Sequence, residues 1–268
     1  MGTNEMTRDA LADSAIHEKW VAHYRSPEAE GFYEMAFDEI VKRLGAPPDA
    51  TILDAGCGSC AKSVLLASRG LRVVGADFSQ AALDLAEKTI RAKHLEGRIT
   101  LRQADLLNLP FKDGEFQYVI CWGVLIHIPD VERALSELAR VTAPGGTLVL
   151  SEANMHSAQQ YLTRSLKAVF GSGRSKLERT AAGLETREHT EQGLLVTRVS
   201  DIAWMARHCE GLGLHLKTRI PGQLSELYAL MPWRWLRRAI HVANSVWFRM
   251  VRMPGPAFGN ILMFEKRT

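Results

Sequence analysis

Apolar residues recur along this chain in two rhythms, and the rhythm changes twice. Residues 1–12 show no period and read as a loose tail. Residues 14–25 and 31–44 follow a helical period. In the second of these Phe32, Met35, Ala36, Ile40 and Leu44 fall near one face, and Gly45-Ala46-Pro47-Pro48 bars continuation. From residue 51 short apolar runs alternate with helical ones. The runs 51–53, 72–76, 98–102, 116–121 and 146–150 predict strands, and 60–69, 79–94 and 130–141 predict helices. Ser79 is a natural N-cap, and Gly70 can adopt the left-handed turn that stops a helix. Strands alternating with helices imply parallel βαβ units with right-handed crossovers, in an open doubly wound α/β sheet.

Past Leu150 the alternation breaks. Residues 154–198 are polar and contain Gly171-Ser172-Gly173, which reads as a helical insertion with a mobile centre. A helix over 200–211 and a strand over 214–220 follow. Residues 222–253 form a second helical insertion, and 258–266 a last strand. The chain thus divides into an N-terminal helical cap (1–45), a core (46–153), a helical lid (154–199) and a C-terminal part of the sheet (200–268), whose basic insertion spans 222–255.

Composition narrows the class. With 268 residues, 46 % hydrophobic and 24 % charged, the chain can bury a full core and is not disordered. No run reaches the ~18 apolar residues of a membrane span. The polar first residues are no signal peptide, and four cysteines are no disulfide scaffold. The expectation is a soluble, reduced, cytoplasmic protein. The net charge of +3 conceals −6 over residues 1–154 and +9 over 155–268, an asymmetry that points to an anionic partner.

Leu53-Asp54-Ala55-Gly56-Cys57-Gly58-Ser59-Cys60-Ala61 leaves the first strand and enters the first helix. Glycines there let a ligand approach the backbone closely. Asp77 ends the second strand, where a carboxylate can take both hydroxyls of a ribose.

The segment from Ile52 to Ala61 resembles motif I of class I S-adenosylmethionine-dependent methyltransferases, whose usual form is Asp-x-Gly-x-Gly-x-Gly. Gly75-Ala76-Asp77-Phe78-Ser79 resembles the ribose-binding segment of that family. Ala104-Asp105-Leu106, with Leu109-Pro110-Phe111, resembles its adenine-binding segment. Residues 116–128 resemble its fourth-strand motif, and 138–150, with Pro144-Gly145-Gly146, its fifth-strand motif. The resemblance spans about residues 45–152.

It implies a Rossmann-like seven-stranded sheet, mostly parallel with an antiparallel last strand, and S-adenosylmethionine as cofactor. It implies that Asp54 and the backbone of Gly56, Cys57 and Gly58 face the methionine moiety, that Asp77 binds the ribose and Phe78 flanks the adenine. Asp105, beside Leu106, would accept from the adenine's exocyclic amine, and Cys121 and Trp122 would lie beside the sulfonium. Two departures stand out: Cys60 replaces the third glycine, and Gln117 replaces an acid common early in the fourth strand.

His127 follows the fourth strand and Glu152 ends the fifth, at the sheet edge where ligands bind in open α/β folds. His127 reads as a general base, a donor to the methyl pocket, or a loop-fixing group; Glu152 as a second acceptor or a solvated carboxylate. His156 and His189 lie in the first insertion, within reach of a substrate or on the surface. Cys57-Gly58-Ser59-Cys60 lacks the second pair a zinc site needs and the context of a redox motif, so it reads as two small loop residues.

Within 232–253, Arg234, Arg237, Arg238, Arg249 and Arg252 share roughly a third of a helical turn, opposite an apolar arc. Between Leu227 and Phe264 there is no acidic residue. Most such helices pack their apolar face on a core. The alternatives are an interfacial membrane helix or a lid over an anionic substrate. Nucleic acid is disfavoured, since one short stripe makes no recognisable module.

The function these readings favour is methyl transfer to an O, N or C atom of a small-molecule acceptor, amphiphilic or lipid-linked. A nicotinamide-dependent oxidoreductase also satisfies Gly56, Gly58, Ala61 and Asp77. A non-catalytic binder of the same cofactor is the third reading.

Overall fold

A computed structural model describes residues 3–12, 27–170, 177–190 and 193–268. The core is a seven-stranded sheet. Its strands are β1 (Thr51–Ala55), β2 (Arg72–Asp77), β3 (Ile99–Gln103), β4 (Phe116–Trp122), β5 (Thr142–Ala153), β9 (Leu214–Pro221) and β10 (Gly259–Lys266), in the order β3-β2-β1-β4-β5-β10-β9. β1, β2, β3, β4 and β5 pair in parallel, and β10 runs antiparallel between β5 and β9. The pattern predicts the doubly wound sheet, and the resemblance implies its reversed last strand.

The period of two along the strands sorts their side chains onto two faces. Leu53, Val119, Leu148 and Leu262 pack on one side, against α5 (Val131–Val141) and α7 (Ile202–Gly211). Ile52, Val73, Ile120, Val149 and Ile261 pack on the other. There they meet α2 (Pro27–Leu44), α3 (Ala61–Ala67) and α4 (Gln80–Ala92). Both faces are therefore covered, as parallel sheets require.

Three expectations need correction. Residues 3–11 are not loose: α1 (Thr3–Leu11) is a helix, with Leu11 buried. Its sequence hides the period because Thr7, a polar residue, is also buried. The first insertion is only partly helical. After α6 (Ala158–Phe170) come β6 (Leu177–Thr180), β7 (Gly183–His189) and β8 (Leu194–Ser200), a separate antiparallel sheet. Leu194, Val196, Arg198 and Ser200 are buried in alternation, but the apolar pattern hides it, since Arg198 and Ser200 are inside while Leu195 and Val199 line the cavity described below. The helix expected over 14–25 and the mobile Gly171-Ser172-Gly173 lie outside the described residues.

The second insertion contains a short 3-10 turn (Leu227–Leu230), α8 (Arg234–Val246) and a π-turn (Trp247–Val251). α8 does not pack its apolar arc on the core. His241 and Asn244 are its buried residues, while Trp235, Val242 and Val246 face solvent. The π-turn also breaks the arginine arc: Arg252 turns back to Glu39 of α2, at 2.5 Å.

Candidate functional site

The carboxyl ends of β1, β2, β4 and β5 open onto a cavity of about 550 Å³. The sheet reverses its strand order between β1 and β4, which leaves a crevice there for a ligand. The cavity's far wall is β8, through Leu195, Thr197 and Val199.

At the end of β1, Asp54 is buried and its Oδ2 accepts a 2.6 Å hydrogen bond from Ser63 Oγ. Burial pushes its carboxyl up to about 6, against the pull of Ser63, and the nearby Asp77 charge adds to the rise. At the end of β2, each oxygen of Asp77 accepts one backbone N–H at 2.9 Å, from Gly58 and Ser79. Asp77 thus also closes the glycine loop. Gly56 and Gly58 have φ of 80° and 53°. A Cβ on Gly58 would meet nothing within 4 Å, whereas one on Gly56 would strike Val124.

Cys60 holds φ 60°, so the residue that replaces the third glycine keeps the left-handed backbone at a cost of roughly 1–2 kcal/mol. Both loop thiols are buried and free, and both crowd the α-carbon of Gly75, which has no side chain to displace them. Contact with Cys60, together with burial, pushes the Cys57 thiol well above its usual range. A thiol so held is inert.

On the opposite wall, His127 Nδ1 lies 2.9 Å from the carbonyl oxygen of Val196. A carbonyl only accepts, so Nδ1 carries the proton and the Nε2 lone pair is the imidazole's acceptor. Burial lowers its basicity, and the Arg198 charge adds to the fall. Glu152 is buried: Oε2 accepts from Ser200 Oγ at 3.3 Å, and Oε1 has no hydrogen-bond partner among the described residues. Burial pushes this carboxyl up to about 8, against the pull of Arg198.

The residues proposed from the sequence to bind the cofactor or take part in catalysis line the cavity, except Asp105 and Cys121. Cys121 points away from the cavity into the sheet's core. Trp122, the next residue, does line it. Asp105 takes the Leu107 N–H on Oδ1 and Arg8 of α1 on Oδ2, at 2.8 Å. Arg8 also lies 5.7 Å from the centre of the Phe78 ring, so α1 covers this end of the cavity. His156 sits outside, beside Tyr161 and Asp201. His189, at the end of β7, is exposed.

Three groups were missed. Lys62 lines the cavity with its Nζ 2.9 Å from the centre of the Tyr33 ring. Burial lowers its ammonium to about 7 despite the charges of Asp54 and Glu226. A cation in the first turn of a helix opposes the helix dipole, and that anomaly was the signal. Glu226, from the second insertion, is pushed up to about 7 by burial. Arg198 of β8 is 1 % exposed. It donates to Glu185 and to the carbonyls of Leu125, Ile128 and Pro129, and so holds the loop that carries His127. Its sequence carries no local mark, because the buried set of β8 mixes Leu194 and Val196 with Arg198 and Ser200.

Residues 53–150 match the family model of a methyltransferase domain. This segment is a methyltransferase domain of the class I S-adenosylmethionine-dependent kind. The methyltransferase GfsG of Streptomyces halstedii is 31 % identical over 151 residues, covering 56 % of this chain and 54 % of that protein. The ubiquinone biosynthesis O-methyltransferase of Alkalilimnicola ehrlichii is 30 % identical over 162 residues, 60 % of this chain and 64 % of that one. The chain spans about half the length of the first curated relatives it matches. Magnesium protoporphyrin IX methyltransferase from Synechocystis, solved with bound S-adenosylhomocysteine, has the same fold. Its TM-score is 0.66 at 18 % identity, over 98 % of this chain and 100 % of that one.

The residues present fit the family's cofactor. S-adenosylmethionine offers an ammonium, a ribose diol and an adenine edge, all donors, and the methyltransferase segment meets them with carboxylates. The open space over Gly58 leaves room for the ligand against the backbone. Among the described residues, no group of three or more His, Cys, Asp and Glu side chains could hold a metal ion.

Proposed function

We propose that the chain moves a methyl group from S-adenosylmethionine to a small, largely apolar acceptor. The observation that carries this reading is the convergence of two chemistries on one cavity. Carboxylates from successive strand ends, Asp54 and Asp77, face His127 and Glu152 on the wall beyond.

When bound, S-adenosylmethionine supplies an electrophilic methyl carbon on a cationic sulfur. Asp54 would hold the ammonium and Asp77 the ribose hydroxyls. Phe78 and Leu106 would flank the adenine, with Gly56, Cys57 and Gly58 along the methionine chain and Trp122 near the reacting centre. Asp105 would accept from the adenine amine only by sharing its carboxylate with Arg8. In-line displacement releases a neutral sulfide, so the protein's main tasks are to align the acceptor and keep water out.

His127 Nε2 is the base for an acceptor that keeps its proton until attack. Glu152, neutral below about 8, donates its proton to a hydrogen-bond acceptor on the same substrate. That pairing favours a hydroxyl with an adjacent oxygen acceptor on an apolar frame. The buried orphan oxygen of Glu152 supports it, because a substrate group would satisfy that atom.

The test is thermal unfolding with S-adenosylmethionine, S-adenosylhomocysteine and the nicotinamide cofactors. A ligand at a hundred times its Kd adds ~2.7 kcal/mol, or about 5–10 °C for a chain of this size. The expected result is a shift with both adenosyl compounds that Asp77→Ala abolishes. A shift with a nicotinamide cofactor overturns the reading in favour of an oxidoreductase. Cofactor binding without turnover on any phenolic or enolic acceptor tried would favour the non-catalytic binder.

A further inference from the structure

We propose that the outward face of α8 docks on an anionic lipid bilayer, and that the acceptor is an amphiphile drawn from that bilayer. The second half of this rests on the methyl-transfer reading; the first half does not.

α8 turns His241 and Asn244 inward and leaves its arginines exposed. Asn244 accepts from the Ser225 N–H at 3.0 Å and donates to the Ser225 carbonyl at 2.9 Å. The His241 ring lies 4.2 Å from that of Tyr228. Beyond α8, Phe248 of the π-turn anchors on Phe32 of α2, with ring centres 5.5 Å apart. Leu236 and Ile240 are half-buried, but most of the apolar arc points outward: Trp235 is 68 % exposed, Val242 62 % and Met250 77 %, with Trp233, Val246 and Met253 beside them. A surface helix in a protein that never meets an apolar phase has the reverse arrangement.

Charge selects the occupant. Arg234, Arg237, Arg238 and Arg249 are exposed along the same segment, and no carboxylate occurs between Leu227 and Phe264. A second copy packed face to face would set these arginines against their own images, with no acid on the helix to answer them. Acidic headgroups answer the arginines while acyl chains take the apolar arc. Tryptophan rings suit the boundary between the two. Among the described residues no helix is long and apolar enough to cross a membrane, so the contact lies in the interface plane.

The docking face is also tied to the cavity. Ser225, gripped by Asn244, precedes Glu226, and Gln159 Oε1 of α6 accepts from both the Ser225 hydroxyl and the Glu226 N–H at 2.8 Å. Gly222, Gln223 and Glu226 line the cavity. A docked α8 therefore holds the cavity's 222–226 wall one helix width, ~10 Å, from the lipid.

The experiment is flotation of the full chain with vesicles of phosphatidylcholine, with and without phosphatidylglycerol, at low and high salt. The expected result is binding to the acidic vesicles that high salt weakens. Arg234→Ala should weaken partition about fivefold. The triple variant Trp235→Ser, Val242→Ser, Met250→Ser should weaken it about tenfold or more, with its unfolding midpoint and its response to S-adenosylmethionine unchanged.

A wild-type chain that stays off acidic vesicles at low salt overturns the proposal, as does a triple variant that binds them equally. A dimer that the triple variant converts to monomer, without vesicle binding, assigns the face to a second copy. Vesicle binding needs no cofactor, so a chain that floats with vesicles yet shows no adenosyl-induced shift loses the methyl-transfer reading and keeps the docking surface.

Discussion

Asp54 and Asp77 on one wall of the cavity, and His127 and Glu152 on the other, are held by contacts of very different reach. Ser63, nine residues from Asp54, fixes that carboxyl, while Gly58 and Ser79 fix Asp77. All of these lie within one βαβ unit, whose geometry is set by the glycine turn and a parallel pairing. Across the cavity, His127 bonds to Val196, and Glu152 to Ser200. Arg198 reaches back about seventy residues to the carbonyls of Leu125 and Ile128. The cofactor wall can therefore form without the lid, and the acceptor wall cannot. A fold built this way can change its lid, and hence its acceptor, while the cofactor site stands.

The largest expected effect falls on the acceptor wall alone. His127→Asn should lower kcat by about 10²–10⁴, the usual contribution of a positioned base, and leave S-adenosylmethionine affinity within about twofold. Single-turnover rates and calorimetric titration check the two halves of that statement. An equal loss in both would mean that His127 only shapes the loop, and that the two walls are not separable.

Arg198→Met attacks the lid's attachment. It leaves Glu185 buried with the Thr180 hydroxyl at 3.4 Å and Arg187 at 3.5 Å beside it, and takes the donors from three carbonyls. Breaking a buried pair from one side costs about 3–5 kcal/mol, and replacing both partners by apolar residues costs less. Denaturant unfolding should therefore rank the wild type first, Arg198→Met with Glu185→Leu second and Arg198→Met last. The adenosyl-induced thermal shift should persist in all three. Its disappearance in Arg198→Met would show that the lid also builds the cofactor wall.

The same difference in reach decided what the sequence could show. The glycine loop, the places of Asp54 and Asp77 at strand ends, and the alternation of strands and helices in the core follow from local spacing and turn chemistry, and they stand where the pattern puts them. Glu152 and His127 were legible because they end or follow strands at the ligand edge of the sheet. The pairing of Arg198 with Glu185 was not, since nothing local says that an arginine in a polar stretch will be buried against a distant loop. Arg8 over Phe78 and Asp105 was hidden for the same reason. α8 shows a different limit. The helical wheel separates its charged arc from its apolar arc, but which arc faces the protein is set by Asn244 and Ser225, a tertiary contact.

Glu152 gives a smaller effect with a definite sign. Its folded carboxyl titrates at about 8 against an ordinary 4.5. Between those values the folded chain holds a proton that the unfolded chain has lost, so this group makes stability fall as pH rises through that window. Its contribution is fully present below 4.5 and is lost by about 8. The slope it adds is at most about 1.4 kcal/mol per pH unit. Glu152→Gln should flatten the fall in unfolding midpoint toward pH 8, with Glu226 leaving a residual slope of the same sign up to about 7. An unchanged slope would mean that the carboxyl is hydrated and does not serve as a donor in the cavity.

Asp54 supplies the smallest and most selective test. Its carboxyl titrates at about 6 in the free protein because burial opposes its charge. A cationic ammonium binds the carboxylate, so protons compete with it only at lower pH. Affinity for S-adenosylmethionine and for S-adenosylhomocysteine should be flat above about 6 and weaken toward tenfold per pH unit below it. Asp54→Asn should bind both more weakly and remove the pH dependence. If the weakening below 6 persists in Asp54→Asn, another group meets the ammonium. The cofactor wall thus titrates near 6 and the acceptor wall near 8. Arg198→Met should move only the second, because Arg198 acts on Glu152 and not on Asp54. A shift of both would show that the two walls act as one.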